Sequence, residues 1–291
     1  MVLTMHELLH VVWHALLDTL QIIPFLFLTY LAMELLEHKA GERVLRAVSG
    51  AGRAGPLIGA SVGLLPQCGF SAAAAGFYAG RVVTLGTLLA VFLATSDEMI
   101  AVFVGEGLPL ATILTVLAIK LAVGVSVGFL VDALLYKRKR DLHVGALCEA
   151  EGCHCEEGVL RSALHHTLHV VCFVFVINLV LGFLLYFVSA EVLAAWLNGV
   201  PVLKQAVAAL VGLVPNCAVS VAIATLYARG VLSAGAMLSG LLTGAGVGLL
   251  VLFRTNKKRR ENLAFVALLL AVGIAVGCLL DYTGFAAFFG L

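Results

Sequence analysis

Charge is what this chain has least of. Only 12% of its 291 residues are Asp, Glu, Lys or Arg, against 62% hydrophobic, and mean hydropathy is +1.09. An ordinary soluble domain is about 25% charged, so a membrane protein is expected instead. A net charge of +1 gives no footprint for nucleic acid. The sequence has no Gly-rich nucleotide loop, so nucleotide-driven chemistry has no seat. It also has no H-E-x-x-H helix and no nucleophile–base pattern, which argues against an intramembrane metalloenzyme. No basic stretch and no A-x-A site accompany the first apolar run, where His6, Glu7, His10 and His14 stand instead, so no removed signal peptide is expected. The seven cysteines do not form a disulfide scaffold. Cys68, Cys172, Cys217 and Cys278 lie inside apolar runs, and Cys148, Cys153 and Cys155 crowd one polar loop.

What is present is long apolar sequence. Runs near 13–36, 83–105, 109–135, 166–188, 231–253 and 262–280 each approach the ~20 residues that cross a bilayer core as helix.

The chain also repeats itself. Residues 63–80 align with 212–229, identical at Gly63, Leu64, Pro66, Cys68, Ser71, Ala73, Ala75, Tyr78 and Ala79. Residues 15–28 align with 163–176, identical at Ala15, Leu16, Thr19, Leu20, Phe25 and Phe27. Two tandem copies follow, 1–140 and 161–291, separated by a Cys/His-rich loop over 141–160.

Each copy holds a pair of apolar stretches too short to span, 55–65 with 69–80 and 201–214 with 218–229. Pro66 and Pro215 lack an amide donor and disfavour helix in the residue before them. Each pair is therefore expected to be a re-entrant helical hairpin with its tip at Pro-Gln-Cys or Pro-Asn-Cys.

Basic clusters mark the cytoplasmic side. With Lys39, Arg43, Arg46 and Arg53 inside, Arg81, Lys137–Arg140, Arg254 and Lys257–Arg260 all fall inside as well. Each copy then crosses three times, so the second is inverted. The expected fold is all-α and polytopic: two inverted repeats, six full transmembrane helices and two re-entrant hairpins, about ten segments, with both termini extracytoplasmic. Inverted repeats with broken helices are a transporter architecture, with cargo bound where half-helix ends face a cavity.

Polar residues at membrane depth are the candidate site. At the hairpin tips stand Gln67, Cys68 and Ser71, then Asn216, Cys217 and Ser220. The alternative for these small residues is close hairpin packing. Asp18 shares a helical face with His14 and Gln21, and in the repeat His166 matches Asp18 and His169 matches Gln21. That set suits a divalent cation or a proton relay. Asp97 and Glu98 interrupt an apolar span as paired oxygen donors, and Lys120 is placed to neutralise one of them when the site is empty. The competing reading is a buried ion pair joining two helices. In the cytoplasmic loop, His143, Cys148, Cys153, His154 and Cys155 match no standard zinc module, which leaves a loose metal-capturing tract or a solvated linker.

"ALLDTLQIIPFLFLTYLAMELLEH", "PQCGFS", "ATSDEM" and the Cys/His loop followed by "SALHHTLH" together resemble a family of ten-segment heavy-metal exporters, labelled manganese transporters and also arsenic efflux proteins. The resemblance covers nearly the whole chain. It implies a multi-pass bacterial inner-membrane permease for metal ions. Oxygen and imidazole donors at Asp18, Asp97, Glu98, His166 and His169 favour Mn²⁺ as cargo. The alternative is an arsenite or organoarsenical permease using Cys68 and Cys217. No permanently bound cofactor is expected; the partners are lipid, the metal ion and protons as the coupling ion. Homo-oligomer formation is left open.

Overall fold

The computed structural model describes residues 54–65, 68–96, 99–135, 159–186 and 203–283, together with 9, 12, 13, 15–17, 19, 20, 23, 24, 26–28, 30 and 31. Among the described residues all regular structure is helical. The helices are α1 (Gly55–Gly63), α2 (Cys68–Ala79), α3 (Leu85–Ala94), α4 (Met99–Gly105), α5 (Leu110–Leu135), α6 (Val159–Tyr186), α7 (Leu203–Gly212), α8 (Cys217–Ala228), α9 (Ala234–Thr243), α10 (Gly248–Thr255) and α11 (Arg259–Tyr282). The described residues between 9 and 31 are helical too. Among the described residues four stretches are long and apolar enough to cross a membrane: Leu85–Gly105, Leu110–Leu134, Ala234–Thr255 and Arg259–Tyr282. Leu114, Leu130 and Leu134 on α5 and Leu263 and Leu279 on α11 are exposed, as contact with lipid requires.

The repeat seen in the sequence recurs as repeated contacts. Ala15 and Thr19 are buried, with Thr19 Oγ1 donating to Ala15 O at 2.7 Å; Ala163 and Thr167 do the same at 2.7 Å. The next positions of that stripe, Leu26 and Val174, are each 0% exposed. Thr84 caps α3 by accepting from Thr87 N at 3.0 Å, and Ser233 caps α9 by accepting from Ala236 N at 3.3 Å. The chain leaves α2 through Arg81 (φ 60) and α8 through Gly230 (φ 72), the same left-handed exit position.

Small residues let the helices approach closely. A Cβ added at Gly86 would lie 2.1 Å from Gly128 O, and one at Gly235 2.2 Å from Gly277 O. Gly124 and Gly128 on α5 therefore sit directly on the α3 backbone, as Gly273 and Gly277 on α11 sit on α9. α1 lies along α3 with Gly55 and Gly59 against Thr87 and Gly63 against Val91. α7 lies along α9 with Gly212 against Gly240 and Thr243.

Two expectations are corrected in form. The runs 83–105 and 231–253 read as single helices, yet both break at mid-length, the first after Ala94 and the second after Thr243. In the first, Thr95 Oγ1 turns back to Val91 O (2.8 Å) and Ser96 Oγ to Ala94 O (3.0 Å), so local hydroxyls compete with the helix. In the second, Gly244 and Gly246 (φ 50) let the backbone leave the helical region. The short pairs do break near their prolines, but α1 and α2 scarcely touch each other. The second arm of each pair packs on the other copy, α2 against α10 and α8 against α4.

Candidate functional site

Four helix interruptions define the site: after α1, after α3, after α7 and after α9. At the α7–α8 interruption Asn216 is extended (φ −145, ψ 134), and its Oδ1 accepts from Ala218 N at 2.8 Å, which caps α8. At the α9–α10 interruption Thr243 Oγ1 lies 2.8 Å from Ala209 O of α7, fastening the broken end to its neighbour. Ser71, 0% exposed on α2, donates to Ala245 O at 3.4 Å inside that same interruption. A Cβ on Gly248 would come within 2.7 Å of the Ser71 side chain, so α2 closes directly over the α9–α10 interruption. Ser220, on the equivalent arm α8, is 9% exposed.

Lys120 joins the two broken helices. It sits on α5, is 0% exposed, and its Nζ donates to Thr95 O at 2.5 Å and to Leu241 O at 2.8 Å. Thr95 is the C-cap of α3, and Leu241 lies in the last turn of α9, so both acceptors belong to helix C-terminal ends. Such ends carry about half a negative charge each, which offsets the cost of burying an ammonium. The repeat equivalent of Lys120 is Leu269, also 0% exposed, so the charge occurs once.

Further from the breaks, a carboxylate anchors the start of each broken helix. Asp132 accepts from Gly86 N (3.0 Å) and Thr84 Oγ1 (2.6 Å). Asp281 accepts from Gly235 N (2.9 Å), Ser233 Oγ (2.6 Å) and Gln205 Nε2 (2.6 Å), with Lys204 Nζ 3.8 Å away. The ends of α2 and α8 carry ion pairs to distant parts of the chain. Arg81 Nη2 reaches Glu261 Oε2 at 2.8 Å with Tyr78 OH at 3.4 Å from the same oxygen, and Arg229 reaches Glu106 at 3.6 Å. Burial works against the Arg81 charge, but the hydrogen bond and negative charge of Glu261 outweigh it, so its pKa stands above the ordinary value.

Of the residues predicted from sequence, the structure brings Ser71 to the α9–α10 interruption and Lys120 to the ends of α3 and α9, and Asn216 and Ser220 stand at the head of α8. His169 is exposed beside His165 (ring centroids 6.2 Å apart), away from the buried Ala163–Thr167–Val174 stripe. Cys68, His166 and Cys217 are placed by backbone alone. Asp18, Gln67, Asp97, Glu98, His143, Cys148, Cys153, His154 and Cys155 lie outside the described residues. Among the described residues no group of three or more His, Cys, Asp or Glu is arranged to hold a metal ion. Asp132, Asp281 and Gln205 were not singled out from sequence, although a shift of 149 residues aligns Thr84, Gly86 and Asp132 with Ser233, Gly235 and Asp281.

Comparison with protein-family models, curated proteins and solved structures found no match.

Proposed function

We propose that this chain is a secondary transporter that exports a transition-metal cation, Mn²⁺ first, by alternating access, with protons as the coupling ion, in a bacterial inner membrane. The observation that carries the reading is the pair of apolar spans interrupted opposite each other and joined at the gap by a fully buried Lys120. Unpaired backbone at membrane depth is tolerated where it lines a cavity or a path, and transporter sites are built from such half-helix ends.

The ten-segment inverted repeat belongs to the same proposal, and three sets of contacts support it. Arg81, at the end of α2, meets Glu261 at the start of α11, so the first hairpin returns to the face where α10 ends. Arg229, at the end of α8, meets Glu106 just after α4, so the second hairpin returns to the face where α4 ends. Asp132 ties the end of α5 to the start of α3, and Asp281 ties the end of α11 to the start of α9. Since α3–α4 enters from one of these faces and α9–α10 from the other, the two copies run in opposite senses.

For the cargo, Ser96 and Met99 are buried, and Asp97 and Glu98, which lie between them in sequence, supply hard oxygen donors that suit Mn²⁺ better than thiol-seeking arsenic. Lys120 offsets part of their charge when no ion is bound. Purified protein in sealed vesicles, offered Mn²⁺, other divalent cations and arsenite under an imposed pH gradient, tests this directly. Mn²⁺ flux that collapses with the gradient is expected. Flux of arsenite alone, abolished by Cys68→Ser with Cys217→Ser, would overturn the cargo, and no flux of any ion would overturn transport.

A further inference from the structure

Between α10 and α11 the chain sets four cations in a row, Lys257, Lys258, Arg259 and Arg260, and all of them are exposed. The apolar stretches on either side end at Thr255 and begin at Arg259, so the turn stands where hydrocarbon gives way to headgroups. Phe253 and Leu263, 44% and 62% exposed, bring lipid-facing surface close to the cations on both sides. Like charges this close repel. The amide end of α11 adds to them, because its N-cap position, Lys258, has no side-chain cap. From this excess of positive charge at headgroup depth we propose that the Lys257–Arg260 turn is a binding surface for anionic phospholipid, its cations taking the phosphodiester.

The turn is held in one shape with its charges outward. Asn256 and Asn262, both buried, clamp it from beneath: Asn256 Nδ2 donates to Asn262 Oδ1 at 2.7 Å and Asn262 Nδ2 to Asn256 O at 2.9 Å. The one carboxylate in the first turn of α11, Glu261, is taken by Arg81 at 2.8 Å, and Lys258 stands 3.6 Å from it. Among the described residues Arg259 and Arg260 have no carboxylate partner. Arg254, by contrast, is only partly exposed and lies over the Phe173 ring, 5.9 Å from its centroid. A shift of 149 residues puts Leu108, Pro109, Leu110 and Ala111 at the four positions in the first copy, so the basic surface occurs in one copy alone.

Lipid binding is read without transport, so this proposal stands or falls apart from the cargo. The full-length protein in nonionic detergent is unfolded thermally with added phosphatidylglycerol or phosphatidylcholine, and retained lipid is counted by native mass spectrometry. Phosphatidylglycerol should raise the unfolding temperature of wild type, with stabilisation growing as the logarithm of its concentration, and phosphatidylcholine should not. Arg259→Gln with Arg260→Gln should unfold like wild type in phosphatidylcholine and bind phosphatidylglycerol about 25-fold more weakly, at about fivefold per cation near a charged membrane surface. Lys257→Gln with Lys258→Gln should weaken it alike, and Arg229→Gln, an exposed cation elsewhere, should leave it unchanged. Equal effects of the two lipids on wild type, or a preference that survives both double substitutions, would overturn the proposal. So would inorganic phosphate that reproduces the stabilisation at constant ionic strength, since the ligand would then be a soluble anion. A preference that emerges only when Glu149, Glu151, Glu156 and Glu157 are changed to Gln would overturn it too, because the chain's own acidic stretch would then be the partner of the turn.

Discussion

Replacing Asp281 by alanine strips acceptors from three donors at once: Gly235 N at the head of α9, Ser233 Oγ and Gln205 Nε2. Asp132→Ala, the repeat counterpart, strips only two, Gly86 N and Thr84 Oγ1. Hydrogen bonds to a charged group are worth about 1.5–3 kcal/mol net each, so Asp132→Ala should cost about 3 kcal/mol at the low end of that range. Asp281→Ala should cost about 1–3 kcal/mol more, because Gln205 is 0% exposed, its Oε1 is already unpartnered, and loss of Asp281 orphans its amide nitrogen as well. Gln205→Leu in the Asp281→Ala background should recover most of that difference, since an apolar side chain of similar size leaves no polar atom to satisfy. Unfolding in mixed detergent, followed by SDS titration of wild type and the three variants, gives the comparison. Equal losses for the two aspartates, or a larger loss at Asp132, would show that the orphaned Gln205 amide carries no such cost.

Other variants separate packing from charge. Gly128→Ala puts a Cβ 2.7 Å from Gly86 O, and Gly277→Ala puts one 2.4 Å from Gly235 O; each should cost about 1–3 kcal/mol, and Leu at either position should abolish monodisperse protein in size-exclusion chromatography. Glu261→Gln should cost about 1 kcal/mol at low salt and less at high salt, because the 2.8 Å pair with Arg81 is partly solvated. Arg229→Ala should leave stability unchanged, since that side chain is 67% exposed and 3.6 Å from Glu106. Thr243→Val should cost about 0.5–1 kcal/mol through the lost bond to Ala209 O, read in the same SDS titration.

The repeat was legible in sequence because selection of side chains for the same contacts leaves identical letters at fixed spacing. Ala15–Thr19 and Ala163–Thr167 repeat as residues and as hydrogen bonds. The proline breaks were legible for a local reason, the missing amide. The interruptions within 83–105 and 231–253 were not, because both stretches keep the hydropathy of a continuous span. Their signals, Thr95-Ser96 and the spaced glycines of "TGAGVG", act through backbone geometry rather than polarity. Lys120 was recognisable as a buried charge, whereas its described partners are backbone carbonyls, which exist as acceptors only once the helices have ended. Asp132 and Asp281 were hidden for another reason. Each sits near a span end, where a carboxylate reads as solvated, and only the contact with a helix N-terminus across the fold gives it a role.

Whether the two halves run in opposite senses is decided by which faces their loops reach. Single cysteines introduced at Val82 and Lys258 on one predicted face, and at Gly107 and Gly230 on the other, in a background with the seven native cysteines replaced, can be labelled by an impermeant thiol reagent in right-side-out and inside-out vesicles. With opposite orientation, 82 and 258 react together from inside and 107 and 230 react together from outside. Labelling of 82 and 230 from the same face would contradict it.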